Sequence, residues 1–286
     1  MNYFDLHCDT IVASEEGKKT AVDLSKTSVF ENYTQCFAIW LSDGLEPQKA
    51  AEKADKYYGY FKEHILNCKG NVFTPLLTVE NAAAFGNRLE NVFTWKERGV
   101  KAVTLTWNGK NALGFGASFP DEGGLTAFGK EAVSVMNECK ILCDVSHINR
   151  NGFFDCLNLS KEPIIATHSN CKTLCNHERN LDDEQMKALF ESGGFLGLCY
   201  FPRFLGEGDV FELVYEHIYH ALELGGEDLL GFGSDFDGAK MDEKLDSIEK
   251  VSDLRSFLES KGFDESLLEK IFYKNCKKFF NNVLHD

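Results

Sequence analysis

The stretch that decides the fold runs from residue 140 to residue 168 and reads KILCDVSHINRNGFFDCLNLSKEPIIATH. It contains an apolar run at 140–146, a short segment with helical spacing at 149–157 and a second apolar run at 163–167. A histidine closes each run, His147 after the first and His168 after the second. Their 21-residue spacing is about that of one strand-loop-helix-loop repeat, which places the two histidines on neighbouring parallel strands.

Further apolar runs extend this repeat over most of the chain. Most of them are continuously apolar rather than alternating, as expected for parallel strands that are covered on both faces. Eight strands that alternate with helices are typical of a (β/α)8 TIM barrel, an α/β fold that commonly occupies about 250 residues. A doubly wound open sheet uses the same alternation, but the number of strands favours the barrel. The runs lie at 3–8, 34–41, 72–79, 100–106, 140–146, 163–167, 194–200 and 228–234.

Segments with apolar residues three and four positions apart predict amphipathic helices between the strands. Asp182 is an acidic start for one of them, and two extra helices are predicted over 252–284. The stretch 10–32 shows no clear helix. No linker rich in proline, glycine or serine interrupts the series, so we predict a single domain over residues 1–286. The predicted helices between strands cover 47–66, 81–98, 125–139, 149–157, 182–191 and 210–224.

The charge balance restricts the classes of partner. The 286 residues include 30 Lys and Arg against 45 Asp and Glu, which gives a net charge of −15. No basic block is present that could neutralise successive phosphates, so nucleic acid is not an expected partner. The same negative charge argues against docking on anionic lipid, and no apolar run approaches the ~20 residues that span a bilayer.

The amino terminus and the cysteines indicate the compartment. Residues 3–7 form an apolar, strand-like segment without the cationic start and cleavage site of a secretion signal, so we expect a cytoplasmic protein. The ten cysteines are even in number. Several of them, such as Cys36, Cys143 and Cys199, lie inside apolar runs, where a reduced and buried thiol is the common state. No disulfide framework is predicted.

The carboxyl ends of five predicted strands carry ionisable side chains. In a barrel of this kind those ends form the mouth of the active site, so the side chains should meet there. Residues two apart on a strand project to the same face, which lets the first strand present an imidazole and a carboxylate together. The residues are His7 and Asp9 after the first strand, Glu80 after the third, His147 after the fifth, His168 after the sixth and Asp235 after the eighth.

Such a set predicts a metal centre. Imidazole nitrogen and carboxylate oxygen suit zinc and the neighbouring first-row ions, and one glutamate can bridge two ions that lie ~3.5–4 Å apart. Each residue alone has an ordinary interpretation as a helix cap or a hydrogen-bonded strand end, but grouped buried carboxylates and imidazoles need a cation or hydrogen-bond partners. The simplest assignment gives one ion His7, Asp9 and Glu80 and the other ion Glu80, His147 and His168.

The remaining candidate ligands are assigned ordinary roles. Cys171 and Cys175 have helical spacing, but a lone CxxxC has no specificity, so packing is the better interpretation. The other histidines lie away from predicted strand ends and are predicted to be surface or packing residues: His64, His177, His217, His220 and His285.

Several motifs of the chain, taken together, resemble the renal or membrane dipeptidase family of the amidohydrolase superfamily. They occur in the same order as in that family, and the resemblance runs from about residue 4 to the last helix. The motifs are Asp5-Leu6-His7-Cys8-Asp9-Thr10, Gly124-Leu125-Thr126, Asp144-Val145-Ser146-His147, Pro163-Ile164-Ile165-Ala166-Thr167-His168-Ser169-Asn170, His177-Glu178-Arg179-Asn180-Leu181 and Gly233-Ser234-Asp235-Phe236-Asp237-Gly238.

The resemblance implies the same metal ligands as the strand ends, with two zinc ions bound. It also implies that Arg179 grips the free carboxylate of a dipeptide, as the guanidinium fork allows, and that Asp235 handles the proton near the scissile amide. Mn²⁺ or Co²⁺ would fit the same ligands. A homodimer is a weaker implication.

Two positions depart from the family pattern. Mammalian members have a histidine after the fourth strand, whereas this chain has Trp107. The next residue is Asn108, which we interpret as a hydrogen-bond donor to the substrate. A family tyrosine that assists carboxylate binding falls at Phe204, beside Arg203. Substrate handling is therefore expected to differ from that of the mammalian enzymes.

We hypothesise that a hydroxide bridging the two metals attacks the amide carbonyl of a dipeptide, with Asp235 moving the proton and Arg179 holding the carboxylate. One rival keeps the metals and changes the substrate to an N-acyl amino acid, a cyclic amide or a lactone, which the fold alone does not decide. A second rival is a non-catalytic metal-binding or small-molecule-binding barrel, for which Trp107 and Phe204 are the only sequence support.

Overall fold

The apolar runs form the strands of a closed parallel barrel in the computed structural model, which describes residues 1–283. Each strand pairs with the next along the chain, and the eighth pairs with the first through Asp5 and Phe232. Closure leaves no free edge, so the barrel prediction is confirmed and the open-sheet alternative is wrong. The strands are β1 (Asn2–Cys8), β2 (Asn32–Trp40), β3 (Phe73–Glu80), β4 (Val100–Thr104), β5 (Leu142–Asp144), β6 (Ile165–Ala166), β7 (Phe195–Leu198) and β8 (Leu230–Phe232).

Helices cover the outside of the barrel, and most of them lie where the apolar spacing predicts. Asp182 caps its helix as expected, because its side chain accepts from the Gln185 backbone N–H while Gln185 reaches back to the backbone of Asp182. The helices are α1 (Thr10–Glu15), α2 (Pro47–Tyr60), α3 (Glu90–Glu97), α4 (Ala127–Cys139), α5 (Arg150–Leu159), α6 (Asp183–Glu191), α7 (Pro202–Leu205), α8 (Val210–Glu223), α9 (Val251–Ser260), α10 (Glu265–Glu269) and α11 (Asn275–Val283).

Shorter helical segments join these elements. The 3₁₀ turns are Leu24–Val29, Leu66–Cys68, Ala82–Phe85 and Ile248–Lys250, and the π-helical turns are Phe61–Ile65 and Lys270–Lys274. The second π-helical turn joins α10 to α11, so the predicted pair of terminal helices is α9 followed by the segment 265–283. The last predicted helical position, Leu284, lies outside the described residues.

Two sequence-based boundaries need correction. The stretch 10–32 does contain a helix, α1, which is too short to show an apolar repeat. The predicted single helix over 81–98 is wrong: a 3₁₀ turn at Ala82–Phe85 ends at Gly86, which has a left-handed φ of 59°, and α3 begins only at Glu90. A left-handed residue ends a right-handed helix, and Gly86 adopts that conformation without steric cost.

The terminal helix α11 packs against the amino-terminal end of the barrel. Phe280 lies 5.3 Å from Phe4 of β1, and Phe279 lies 5.1 Å from Phe195 of β7, both measured between ring centroids. Cys276 belongs to the same buried cluster as the residues inside the barrel. The apolar packing at this end leaves the carboxyl ends of the strands as the place for a polar site. No helix described in residues 1–283 is long and apolar enough to cross a lipid bilayer.

Glycines let the strand ends near the mouth approach one another closely. A β-carbon at Gly233 would lie 1.7 Å from the carbonyl oxygen of Thr167, and one at Gly197 would lie 2.1 Å from the same oxygen. Real side chains do not reach such distances, so the backbone would have to move. Because Asp235 and His168 each lie within two residues of these contacts, the glycines also position the polar residues.

We therefore predict that Gly233→Ala destabilises the protein by about 2 kcal/mol or more, because overpacking a rigid backbone typically costs ~1–3 kcal/mol. Urea unfolding of the purified variant measures the free-energy change. Gly59→Ala is the matched control, since Gly59 lies in α2 with no atom within 4 Å of the added carbon. This control should be neutral or more stable by about 0.5–1 kcal/mol. Equal stability of the two variants would contradict the packing argument.

Candidate metal centre

The strand-end residues converge at one mouth of the barrel, as the sequence predicts. His7 is the penultimate residue of β1 and Glu80 is the last residue of β3, while His147 and His168 lie in the loops just after β5 and β6. All four side chains are nearly inaccessible to solvent, and the most exposed of them, His147, has only 6% of its surface exposed. Asp9, which follows β1 directly, is 7% exposed.

The carboxylate of Glu80 lies between the rings of His7 and His147. One carboxylate oxygen, Oε1, lies 2.9 Å from Nε2 of His147, and the other, Oε2, lies 3.2 Å from Nε2 of His7. Nε2 of His168 lies 2.8 Å from Nε2 of His147. Ligand atoms of His7, Glu80 and His168 all lie within 4.8 Å of one another, and the same holds for His7, Asp9 and Asp235.

Hydrogen bonds on the far side of two rings fix which nitrogen faces the centre. Nδ1 of His147 donates to Oδ1 of Asn108 over 2.8 Å. The Thr167 hydroxyl donates to Asp144 over 2.5 Å and therefore accepts from Nδ1 of His168 over 2.9 Å. With Nδ1 protonated in both rings, each Nε2 presents a lone pair to the centre, which is the tautomer that a metal ligand needs.

The group lacks positive charge, and a cation fits it. Two Nε2 lone pairs face each other at 2.8 Å, and a carboxylate oxygen lies 2.9 Å from one of them, so acceptors meet without a proton between them. Three further buried atoms have no hydrogen-bond partner among the described residues: Nε2 of His7, Oδ1 of Asp9 and Oε2 of Glu80. Unpaired buried polar atoms of this kind are stable only with a counter-charge, and nitrogen and carboxylate donors suit a divalent first-row ion.

The pKa values of the protein without metal reflect the same arrangement. Burial raises the pKa of Glu80, but His147 and His7 outweigh burial and hold it below its ordinary value. Burial lowers the pKa of His147 to about 4, and Arg179 adds to the effect. Burial alone would lower the pKa of His7, yet the neighbouring Glu80 and Asp9 raise it well above its usual value. The two carboxylates therefore favour positive charge at this position, which a bound cation would supply.

Asp235 lies at the edge of this group in a strained conformation. Its φ of 63° is left-handed, a region that non-glycine residues enter at a cost of ~1–3 kcal/mol and that is common at functional sites. The backbone N–H of Asp235 donates to the carbonyl of His7 over 3.1 Å, which fixes the loop after β8 to the end of β1. Oδ1 of Asp235 lies 3.9 Å from Nε2 of His7, and burial raises the pKa of Asp235 to about 8.

Arg179 is a buried residue that contacts His168, one of the candidate metal ligands. It is 4% exposed, and one terminal nitrogen donates to the carbonyl of His168 over 3.0 Å. Nε has no hydrogen-bond partner among the described residues, and the guanidinium carbon lies 5.3 Å from the centroid of the Phe204 ring. The Phe204 ring therefore covers the guanidinium, and it stands where the family that the sequence resembles has a tyrosine.

A cavity of about 890 Å³ opens above the ligands, a volume within the usual range for small-molecule sites. Asp9, Glu80, His147 and Asp235 contribute to its floor and wall. The sequence-predicted residue Asn108 also lines it, although Oδ1 of Asn108 is already engaged by His147. Arg179 does not reach the cavity surface, whereas the neighbouring Phe204 and Arg203 do.

Several contributors to the site were missed by the sequence reasoning. Asp144 and Thr167 orient His168, and the available signal was that each is a polar residue at an apolar strand end, with a histidine one to three positions later. Cys199, after β7, lies 3.8 Å from Oδ2 of Asp235 through its sulfur, and nothing in its sequence context distinguishes it from a packed thiol. Trp40 lines the cavity from the end of β2, a strand end without an ionisable residue.

The residues assigned ordinary roles have them. His217 is buried and accepts from the backbone of Cys171, which is itself a buried free thiol, and His220 contacts Asp183 near the surface. His64 lies on the surface and His177 packs against Phe204. His285 lies outside the described residues.

The contact between Asn108 and His147 predicts that Asn108→Ala weakens metal binding. Removal of a hydrogen bond that orients a metal ligand typically costs 10–100-fold in affinity, so we expect a loss of about that size. Competition with a chromogenic chelator measures the affinity directly. Asn108→Asp, which keeps an oxygen acceptor for Nδ1, is the matched control and should retain most of the affinity. If both variants bind metal like the parent, the contact does not orient His147.

Comparison with known proteins identifies the relatives of this chain. The sequence profile of the membrane dipeptidase family, peptidase family M19, matches residues 60–285. An uncharacterized protein from the pqqA 5′ region of Klebsiella pneumoniae is 33% identical over 224 residues, which are 74% of this chain and 83% of that protein.

Solved structures share the fold over nearly the whole chain. A crystal structure described as the dipeptidase AC, a metallopeptidase of family M19, has a TM-score of 0.89 at 26% identity and covers 98% of each chain. A metallopeptidase from Rhodobacter sphaeroides, solved with a phosphinate mimic of the dipeptide L-Ala-D-Ala, has a TM-score of 0.89 at 24% identity and covers 99% of each chain. At that identity the second likeness shows the fold alone.

Proposed function

Because this chain belongs to the membrane dipeptidase family, peptidase family M19, we propose that it hydrolyses dipeptides with the help of two divalent metal ions. Membership makes it a metallopeptidase of the dipeptidase type. The observation that carries the proposal is the convergence of imidazole nitrogens on Glu80, beside the carboxylate of Asp235 and under a cavity of small-molecule size.

The residues divide naturally between two ions. His7, Asp9 and Glu80 would hold one ion, and Glu80, His147 and His168 the other, with zinc favoured and Mn²⁺ or Co²⁺ compatible. When bound, the ions supply a nucleophile at neutral pH by lowering the pKa of a water molecule to ~7, and they polarise the amide carbonyl.

Asp235 has the position and the proton affinity for general acid-base work. Its carboxylate borders the ligand group at 3.9 Å from Nε2 of His7 and faces the cavity. A carboxylate at that position can take up a proton from a water molecule and release it to a leaving group. Asp235 would accept the proton from the attacking water and deliver it to the leaving amine nitrogen as the C–N bond breaks.

Arg179 lies behind Phe204, which lines the cavity, and it would bind the substrate carboxylate once that ring turns aside, which gives the preference for a short substrate. Its unpartnered Nε lies in a buried environment, where a guanidinium favours a carboxylate partner. Since Arg179 also holds the carbonyl of His168, a carboxylate bound there is fixed relative to the metal ligands. Only a substrate with its carboxylate close to the scissile amide fits that spacing, as a dipeptide does.

The proposal predicts metal-dependent release of amino acids from dipeptides. A panel of L,L and L,D dipeptides assayed with Zn²⁺, Mn²⁺ or Co²⁺ should show turnover that a chelator abolishes and metal restores. The C-terminal amide of the best dipeptide is the matched control, because it removes the negative charge that Arg179 would bind. We expect a loss of kcat/KM of about 10²-fold or more for the amide, since the buried guanidinium is then left unpaired.

The outcomes of this panel separate the rival functions. Bound metal with turnover of N-acyl amino acids, cyclic amides or lactones but not of dipeptides would transfer the proposal to those substrates. Bound metal without hydrolysis of any amide or ester would leave a non-catalytic metal-binding barrel. The family fold accommodates all three, so activity decides between them.

The role of Asp235 predicts that Asp235→Asn lowers kcat by about 10²–10⁴-fold, the usual contribution of a positioned acid-base group. Steady-state kinetics and metal analysis of the same preparation measure kcat and occupancy together. Asp237→Asn is the control, because the Asp237 carboxylate is already engaged by the Thr10 hydroxyl and the Ala21 N–H, each at 2.6 Å. A near-normal kcat for Asp235→Asn with unchanged metal content would refute the assignment.

A further inference from the structure

We propose that Trp40 and Trp107 form the subsite for the side chain of the substrate's N-terminal residue and select a bulky apolar group there. This inference rests on the proposed dipeptidase function and specifies its substrate class. It concerns the two tryptophans that line the cavity, one of which stands where the family pattern has a histidine.

The strand register places these tryptophans on either side of the central carboxylate. Trp40, the last residue of β2, is paired with Glu80 at the end of β3, and Glu80 is paired with Thr104 at the end of β4. Trp107 follows Thr104 by three residues. One tryptophan therefore ends the strand on one side of β3, and the other lies in the loop that follows the strand on its other side.

The two rings form one continuous apolar wall. Their centroids lie 5.2 Å apart at an interplanar angle of 80°, the edge-to-face geometry that aromatic pairs favour. The centroid of the Trp107 ring also lies 6.2 Å from that of His147, so this apolar wall is next to a candidate metal ligand. A substrate group bound at the metals would contact this wall directly.

Both tryptophans remain available to a ligand. Each is partly exposed and lines the cavity, and neither indole N–H has a hydrogen-bond partner within residues 1–283. Nζ of Lys53 lies 5.7 Å from the centroid of the Trp40 ring, which is a cation–π contact. The third tryptophan of the chain, Trp95, is 2% exposed and its indole N–H donates to the carbonyl of Ala84, as expected of a packed core residue.

The order of strands in the closed barrel fixes which end of the substrate meets this wall. β3 lies opposite β7 in an eight-stranded ring, so the arc of β2 to β4 faces the arc of β6 to β8 across the mouth. Arg179 contacts His168 after β6 and Phe204 after β7, which places the substrate carboxylate on the second arc. With the scissile amide over the ligands, the N-terminal residue extends toward Trp40 and Trp107.

The experiment compares Xaa-Ala dipeptides with Xaa as Gly, Ala, Leu or Phe, assayed with the metal-loaded enzyme. We expect kcat/KM to rise by about tenfold or more from Gly to Phe, since each added apolar group contributes in a well-formed pocket. Trp40→Ala and Trp107→Ala should each remove most of that gain and change the value for Gly-Ala much less. Trp40→Phe and Trp107→Phe should restore part of it, because a ring remains.

Trp95→Phe is the control, since it removes a tryptophan outside the cavity and should keep the full preference. A binding measurement avoids dependence on turnover: phosphinate dipeptide mimics with a benzyl or a hydrogen in the N-terminal position are titrated by intrinsic fluorescence. The benzyl mimic should bind at least about tenfold more tightly and perturb the emission of Trp40 and Trp107.

Failure of this inference is distinguishable from failure of the proposed function. If dipeptides are cleaved but the rate is the same for Gly-Ala and Phe-Ala, or the tryptophan variants lower both equally, the subsite is wrong while the dipeptidase function stands. If no dipeptide is cleaved, the function is wrong, and equal binding of the two phosphinates would then overturn the subsite as well.

Discussion

The site depends on a shortage of positive charge around one buried carboxylate. Glu80 lies within 3.2 Å of two imidazole nitrogens, and a third imidazole presents its lone pair to one of them at 2.8 Å. Hydrogen bonds at Nδ1 of His147 and of His168 fix the Nε2 lone pairs of these two rings inward, so proton rearrangement alone does not relieve the repulsion between them. A divalent cation does relieve it, which links the stability of the centre to metal binding.

The barrel supplies the rigidity that such a group requires. His147 and Asp235 both have left-handed φ values, near 69° and 63°, and the surrounding backbone holds them there. The Asp235 N–H is bonded to the carbonyl of His7, and the His147 carbonyl accepts from the N–H of Ala117. Because each strained residue is tied to a neighbouring element, misplacement of one would disturb several contacts at once.

The parts of this architecture that follow a repeat were predictable from the sequence, and the parts that depend on tertiary contacts were not. Continuous apolar runs predicted all eight strands, and ionisable residues at their ends predicted which side chains meet. The break at Gly86 was hidden because Ala82–Phe85 and α3 share the apolar spacing of one helix. The orienting contacts of Asn108, Asp144 and Thr167 were also hidden, since a hydrogen bond between loops leaves no periodic signal.

The candidate metal ligands and the cavity aromatics lie at different strand ends around the mouth of the barrel. The candidate metal ligands and Asp235 lie at or after the ends of β1, β3, β5, β6 and β8, whereas the aromatics Trp40, Trp107 and Phe204 lie at or after the ends of β2, β4 and β7. Substitutions on the aromatic strands can therefore reshape the cavity without removing a ligand. Trp107 and Phe204 follow two of these strands, so their departures from the family pattern change the lining of the cavity and leave the candidate metal ligands unchanged. The barrel thus allows the lining of the cavity to vary independently of the candidate metal ligands.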